Sequence, residues 1–423
     1  MTERTMSGMG QVEYTPATLA FPVQEALVQV CRESFGSKLR ALALTGSVAR
    51  NEASYVYRDG QAILLSDIEA VVVLRDDAPL PSCQTARLLC ERAEERLAAS
   101  GVHVHVSLSM VHGAYLRHLP PHIYSYELRT CGLVLFGEET ILEEEIPNYA
   151  ASDLSTEDAW RMLSNRLIEQ MEGAVEGPGG DGLQYRSVKL CLDLAASLLV
   201  FCGQFEAGYR ARLRRIEEFA MTPDAQQLPV LMEEFLPLVR WCTTAKLQPE
   251  AAGNARLTEE AAPGRGSCAP CAGAPEASAG FAGQVTRWAW QSWVWELRRM
   301  TGKDASEGAE EMIRAFGRGL GRKSLLRGWL YAMRRAGWLR SSRHWPKWLW
   351  LAAGGLTPRH AIYLAAYRWQ QARRDATSSD ARQEMKAVCD LLPVRGAAQE
   401  ATAAEVARQL AWNYKEFVTE TRA

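Results

Sequence analysis

Apolar residues recur at three- and four-residue intervals between positions 23 and 39, the spacing of one helix face, and a short apolar stretch at 39–44 then reads as a strand that delivers the chain to Thr45 and Gly46. A second strand opens with Asp67 and Glu69 and continues through the apolar run at 71–74. Between the two, YVYRDGQAILL has the alternation of a β-hairpin that turns at Asp59-Gly60. Residues 85–100 form an amphipathic helix stopped by Gly101. Next, Val102, Val104, Val106, Leu108 and Met110 alternate with His103, His105, Ser107 and Ser109, as on a strand with one buried and one polar face.

From residue 155 the period changes to 3.6, and helices are expected over 156–172, 183–205, 207–220 and 228–246. Residues 248–283 are rich in Ala, Gly, Pro and Ser and read as a flexible linker. Beyond them the pattern is helical again, and ten of the thirteen tryptophans lie between Trp288 and Trp369. The expected fold class is therefore α+β. A small mixed-sheet domain at 20–150 is followed by a helical domain at 151–247, the linker at 248–283, and a basic, tryptophan-rich helical domain at 284–423.

Composition changes this picture only through the layout of charge. The net formal charge of -2 hides a stretch from Met312 to Arg374 with fourteen Lys or Arg and no acid, which leaves 34 basic and 50 acidic residues elsewhere. Residues 312–374 are thus expected to attract an anionic partner. A nucleic acid, a membrane surface and an anionic substrate stay open, beside a plain helical bundle with a basic exterior. With no stretch long and apolar enough for a transmembrane segment and no apolar leader, the expected location is cytoplasmic. The ten cysteines have no framework spacing, and the single C-x-x-C, Cys268 and Cys271, lacks a second ligand pair.

The candidate chemistry sits at the ends of the first two strands. Residues two apart on a strand share a face, so Asp67 and Glu69 aim two carboxylates at one place, with Cα atoms roughly 6.5–7 Å apart. Oxygen ligands of this kind suit Mg2+ or Mn2+. A strand ending in Gly46-Ser47 offers backbone N–H groups to a phosphate, because a glycine permits close approach. An acid pair and a phosphate cradle in one small unit suggest phosphoryl or nucleotidyl transfer from an NTP.

Gly46-Ser47 followed by Ser66-Asp67-Ile68-Glu69 resembles the signature of the DNA polymerase beta-like nucleotidyltransferase superfamily, which includes aminoglycoside and antitoxin-type nucleotidyltransferases. The resemblance covers about residues 24–146, and the stretch IYSYELRTCGLVLFG at 123–137 resembles that family's passage from a helix into an edge strand ending in glycine. It implies that Gly46 and Ser47 bind the triphosphate, that Asp67 and Glu69 hold Mg2+, and that Lys189 from the helical domain reaches the nucleotide phosphates. Arg50, one turn after Ser47, is a further phosphate contact or an exposed helix arginine. For Lys189 the other reading is an ion pair with Asp193 at i, i+4.

Two departures from the family pattern stand out. The gap from Ser47 to Asp67 is long, and the extra piece is the hairpin. The third carboxylate expected on the strand after the first amphipathic helix is missing, and that strand offers His103, His105 and Ser107 instead. His105 is the candidate general base or ligand, weighed against a satisfied strand histidine, with Glu127 as a substitute acid from a neighbouring segment. The expected function is a Mg2+-dependent nucleotidyltransferase acting on a hydroxyl-bearing acceptor; the alternative is a catalytically inactive nucleotide-binding or interaction protein on the same fold.

Overall fold

The computed structural model describes residues 16–58, 61–175, 181–249, 279–304, 306–336, 344–374, 381–394 and 402–418. They form an α+β protein with two small mixed sheets. The chain divides into two compact units, the first made of residues 1–154, 206–212 and 243–258, the second of the remainder. Most of the expected linker, including Cys268 and Cys271, lies outside the described residues, as does the hairpin turn at Asp59-Gly60.

In the first unit the order is α1 (Pro16–Phe35), β1 (Leu39–Thr45), α2 (Gly46–Ala49), β2 (Tyr55–Arg58), β3 (Gln61–Leu64), β4 (Ile68–Leu74), α3 (Cys83–Ala99), β5 (Val102–His103), β6 (Val106–His112), α4 (Gly113–Arg117), α5 (Ile123–Cys131), β7 (Leu133–Gly137) and α6 (Ile141–Glu145). The main sheet has the order β6-β4-β1-β7, with β4 antiparallel to β1 and parallel to β6. Strands β2 and β3 pair antiparallel, as the hairpin pattern predicts, and join β5 in a second sheet.

Period-two alternation sorts the main sheet into two buried faces. Leu42, Leu44, Ile68, Ala70 and Val72 pack under α1 and α3, meeting Leu27, Val30, Leu89 and Leu97. Ala41, Ala43, Val71 and Val73 face the other way and meet Leu116, Leu128, Ile141 and Leu142 from α4, α5 and α6. Burial on both faces explains why 70–74 is an unbroken apolar run rather than an alternating one.

One expected strand is two. The alternation at 102–110 breaks between β5 and β6, which lie in different sheets. The break is held by Glu94 of α3, whose Oε1 accepts the backbone N–H of Val106 and contacts His105 Nδ1, both at 2.8 Å. Alternation in sequence carries no mark of such a change of partner.

The second unit is helical: α7 (Thr156–Val175), α8 (Asp181–Phe201), the body of α9 (Tyr209–Ala220) and of α10 (Met232–Leu247), α11 (Ala279–Thr301), α12 (Ala309–Gly319), α13 (Gly321–Ala336), α14 (Trp345–Ala353), α15 (Pro358–Arg374), α16 (Ala381–Leu391) and α17 (Ala403–Phe417). Helices from both expected helical domains share one core, in which Trp160 of α7 packs on Trp293 of α11 at 5.4 Å and on Tyr363 of α15 at 5.3 Å. Two of these rings have their polar edges satisfied: Trp293 Nε1 donates to Ser164 Oγ at 2.8 Å, and Tyr363 donates its hydroxyl to Asn165 Oδ1 at 2.7 Å. Among the described residues no helix is long and apolar enough to cross a membrane.

Candidate functional site

The site grows from a register. Antiparallel pairing sets Thr45, the last residue of β1, opposite Glu69 of β4, and the chain turns at once through Gly46 into α2. Gly46 has φ +70°, a left-handed conformation that L side chains adopt at a cost. A Cβ placed there would lie 2.7 Å from Glu69 Oε2, so the carboxylate rests directly on the bend. Only glycine allows both features at once.

Parallel pairing of β4 with β6 sets Glu69 beside Ser107 and Val71 beside Ser109. Asp67, Glu69, Ser107 and Ser109 are all exposed, whereas Val71 and Val73, farther along the same face of β4, are buried under α4 and α5. The acid pair therefore stands where the helices stop covering the sheet. Ser107 occupies the place on the neighbouring strand level with Glu69. Tyr115 of α4 and Tyr124 of α5 border this opening, both partly exposed. Burial around the Tyr124 phenol, then its acidic neighbours with Glu69 among them, push its pKa up and keep it a neutral donor.

The His105 ring is held by Glu94, and its side chain is 69 % exposed. Arg50 and Glu127 belong to a buried ion cluster. Arg50 Nη1 donates to Glu127 Oε2 at 2.9 Å and its Nε lies 3.5 Å from Glu52. Arg212, from the first turn of α9, donates to the other Glu127 oxygen at 3.1 Å. Glu52 also accepts the backbone N–H groups of Tyr209 and Arg210 at 2.7 and 3.0 Å, a favourable place for an anion at a helix N-terminus. Burial pulls the Arg50 pKa down, and Glu127, Tyr209 and Glu52 more than offset it, so its charge is secure. Glu127 thus bridges two guanidinium groups, and Arg50 anchors α2 to α5.

Sequence reasoning passed over Lys246. It is 3 % exposed, its Nζ donates to Ser66 Oγ at 2.9 Å, and its carbonyl accepts from Ser54 Oγ. Ser66 in turn accepts the backbone N–H of Ser54 at 3.2 Å. The ammonium also sits 5.8 Å from the Tyr209 ring, which Arg50 and Arg212 approach from 5.7 and 4.8 Å. An ammonium is therefore fixed one residue from Asp67. The one signal in sequence was a lysine closing an apolar helix, which ordinarily marks a favourable helix end.

Lys189 belongs to the second unit, with its Nζ 4.8 Å from the Tyr185 ring, and Asp193 accepts from Arg166 Nε at 2.7 Å. Among the described residues no group of three or more His, Cys, Asp or Glu side chains gathers to hold a metal. Two exposed carboxylates and a serine hydroxyl are an oxygen-only donor set. Mg2+ commonly takes one or two carboxylates, keeps several waters and completes its shell with substrate phosphates, so Asp67 and Glu69 fit an ion brought in with a triphosphate. No family model, no curated protein and no solved structure matches the chain.

Proposed function

We propose that the first unit is a Mg2+-dependent nucleotidyltransferase of the DNA polymerase beta-like kind, moving a nucleoside monophosphate from an NTP to a hydroxyl-bearing acceptor. One observation carries this reading: the left-handed Gly46 bend lies against the Glu69 carboxylate, in register at the open end of β1 and β4. A backbone bend suited to an anion and an acid pair suited to a cation meet at one end of the two central strands.

In this reading the Gly46-Ser47 backbone N–H groups and the Ser47 hydroxyl hold phosphate oxygens. Asp67 and Glu69 hold Mg2+, which supplies charge neutralisation of the triphosphate when bound. Lys246, buried against Ser66, adds a fixed positive charge at the residue that precedes Asp67. The Arg50–Glu127–Arg212 cluster fixes α5, and with it Tyr124, beside Glu69. The acceptor hydroxyl approaches over Ser107 and Ser109.

A second reading has its own support. Ser107 stands level with Glu69 where the family places a third carboxylate, and His105 is engaged by Glu94. A protein of this fold without that acid binds a nucleotide and does not turn it over. Incubation with each labelled NTP, Mg2+ and a panel of hydroxyl-bearing acceptors separates the two. Pyrophosphate release that Asp67→Asn abolishes supports the transferase; NTP binding without release under any condition supports the silent protein.

A further inference from the structure

We infer that the outer face of α13 and α14 in the helical unit docks on an anionic phospholipid surface. Helix α13 turns Trp329 and Ala332 inward, and α14 turns Trp348 and Leu351 inward; Trp329 and Trp348 pack at 5.5 Å. Their indole N–H groups are satisfied by the carbonyls of Leu356 and Pro393. With the inward faces so occupied, the opposite faces carry an unusual exposed set: Leu326 at 60 %, Leu349 at 70 % and Trp350 at 59 %, with Leu330, Tyr331 and Trp345 also exposed.

Cations are interleaved with these residues. Arg322, Lys323, Arg327 and Arg334 are exposed on α13, and none pairs with a described acidic side chain. Arg314, Arg318 and Arg368, by contrast, are taken up by Glu310 and Glu311 in the first turn of α12. Arg322, Lys323, Arg327 and Arg334 therefore share the exposed side of α13 with Leu326 and Leu330.

Three occupants compete, and the residue types choose among them. A second copy in a twofold pairing would set this acid-free face against itself and bring like charges together. A nucleic acid would use the cations and gain little from the exposed leucines. A bilayer with anionic headgroups uses all three classes: leucines enter the acyl boundary, Trp and Tyr sit at headgroup level, and Lys and Arg meet the phosphates.

Sedimentation of the full chain with phosphatidylcholine vesicles, with and without phosphatidylserine, tests this. Binding is expected only with phosphatidylserine, and Arg322→Gln with Arg327→Gln should weaken it roughly thirtyfold at low salt, at about 1 kcal/mol per cation. Leu326→Ser with Leu349→Ser, both at exposed positions, should weaken it as well. Failure of the wild-type chain to bind phosphatidylserine vesicles overturns the proposal. So does binding insensitive to the leucine pair, a higher affinity for duplex oligonucleotide than for vesicles, or a dimer in solution that the leucine substitutions dissociate.

Discussion

Lys246 and Ser66, 180 residues apart in the chain, are joined by a hydrogen bond of 2.9 Å from Nζ to Oγ, in a buried setting next to Asp67. Removing the ammonium takes away a fixed positive charge held at the residue that precedes Asp67. Lys246→Met is expected to weaken binding of MgATP and of tripolyphosphate alike, each about tenfold by calorimetry, since the effect is on charge and not on the base. Equal affinities in the variant and the wild type would remove Lys246 from the site.

Gly46→Ala combines a left-handed backbone with a Cβ against Glu69 Oε2. The conformational cost alone is about 1–2 kcal/mol, and the carboxylate must also move. Faster hydrogen exchange in β1 and β4, with lower affinity for MgATP, is the expected outcome. Gly36, also at positive φ but with open space where its Cβ would go, is the control: Gly36→Ala should speed exchange and leave nucleotide affinity unchanged.

Glu127→Gln leaves the buried guanidinium groups of Arg50 and Arg212 without the carboxylate they share. Breaking one partner of a buried ion cluster typically costs about 3–5 kcal/mol, and the neutral amide, still able to accept, places the expected loss at the lower end. Urea unfolding followed by circular dichroism measures it. A loss below the range of ordinary surface substitutions would show that the cluster does not hold α2 to α5.

In the helical unit, Glu296 is fully buried, accepts from Ser197 Oγ at 2.7 Å, and has its pKa raised by burial to about 8. The folded state therefore keeps a proton that the unfolded chain loses near pH 4.5, so this group's contribution to stability falls as pH rises through that interval, by roughly 1.4 kcal/mol per pH unit. His360 acts in the opposite sense: burial, then Arg161 and Arg359, lower its pKa to about 3, and its contribution is lost as pH falls below 6.5. Between pH 6.5 and 8 Glu296 acts without His360. Glu296→Gln should flatten the decline of stability across that window, read by tryptophan fluorescence during urea unfolding; an unchanged slope would place the titration elsewhere.

The sequence exposed what local periodicity controls. The strand at 39–45, the acid pair opening β4, the hairpin, the helix at 83–99 and the helical second half all follow from apolar spacing and turn residues. Long-range pairing was not visible. The alternation at 102–110 reads the same whether one strand or two sheets use it, and only Glu94 of α3 decides the break. Arg50 looked like an exposed helix residue or a phosphate ligand because Glu127, the carboxylate it shares with Arg212, lies 77 residues downstream. Lys246 showed only as a lysine closing an apolar helix, because its partner Ser66 lies 180 residues away in the chain. Residues 206–212 and 243–258 belong to the first unit, an arrangement that no windowed pattern encodes.

The proposed function makes Asp67, Glu69 and the Gly46-Ser47 bend one Mg2+- and triphosphate-binding site. Calorimetric titration with ATP, in the presence of Mg2+ and then of excess chelator, tests it most directly on the wild-type chain and on Asp67→Asn. Binding that requires Mg2+ and is lost in the variant is the expected result. Binding that survives both chelation and the substitution, or no binding of any NTP by the wild-type chain, would contradict it.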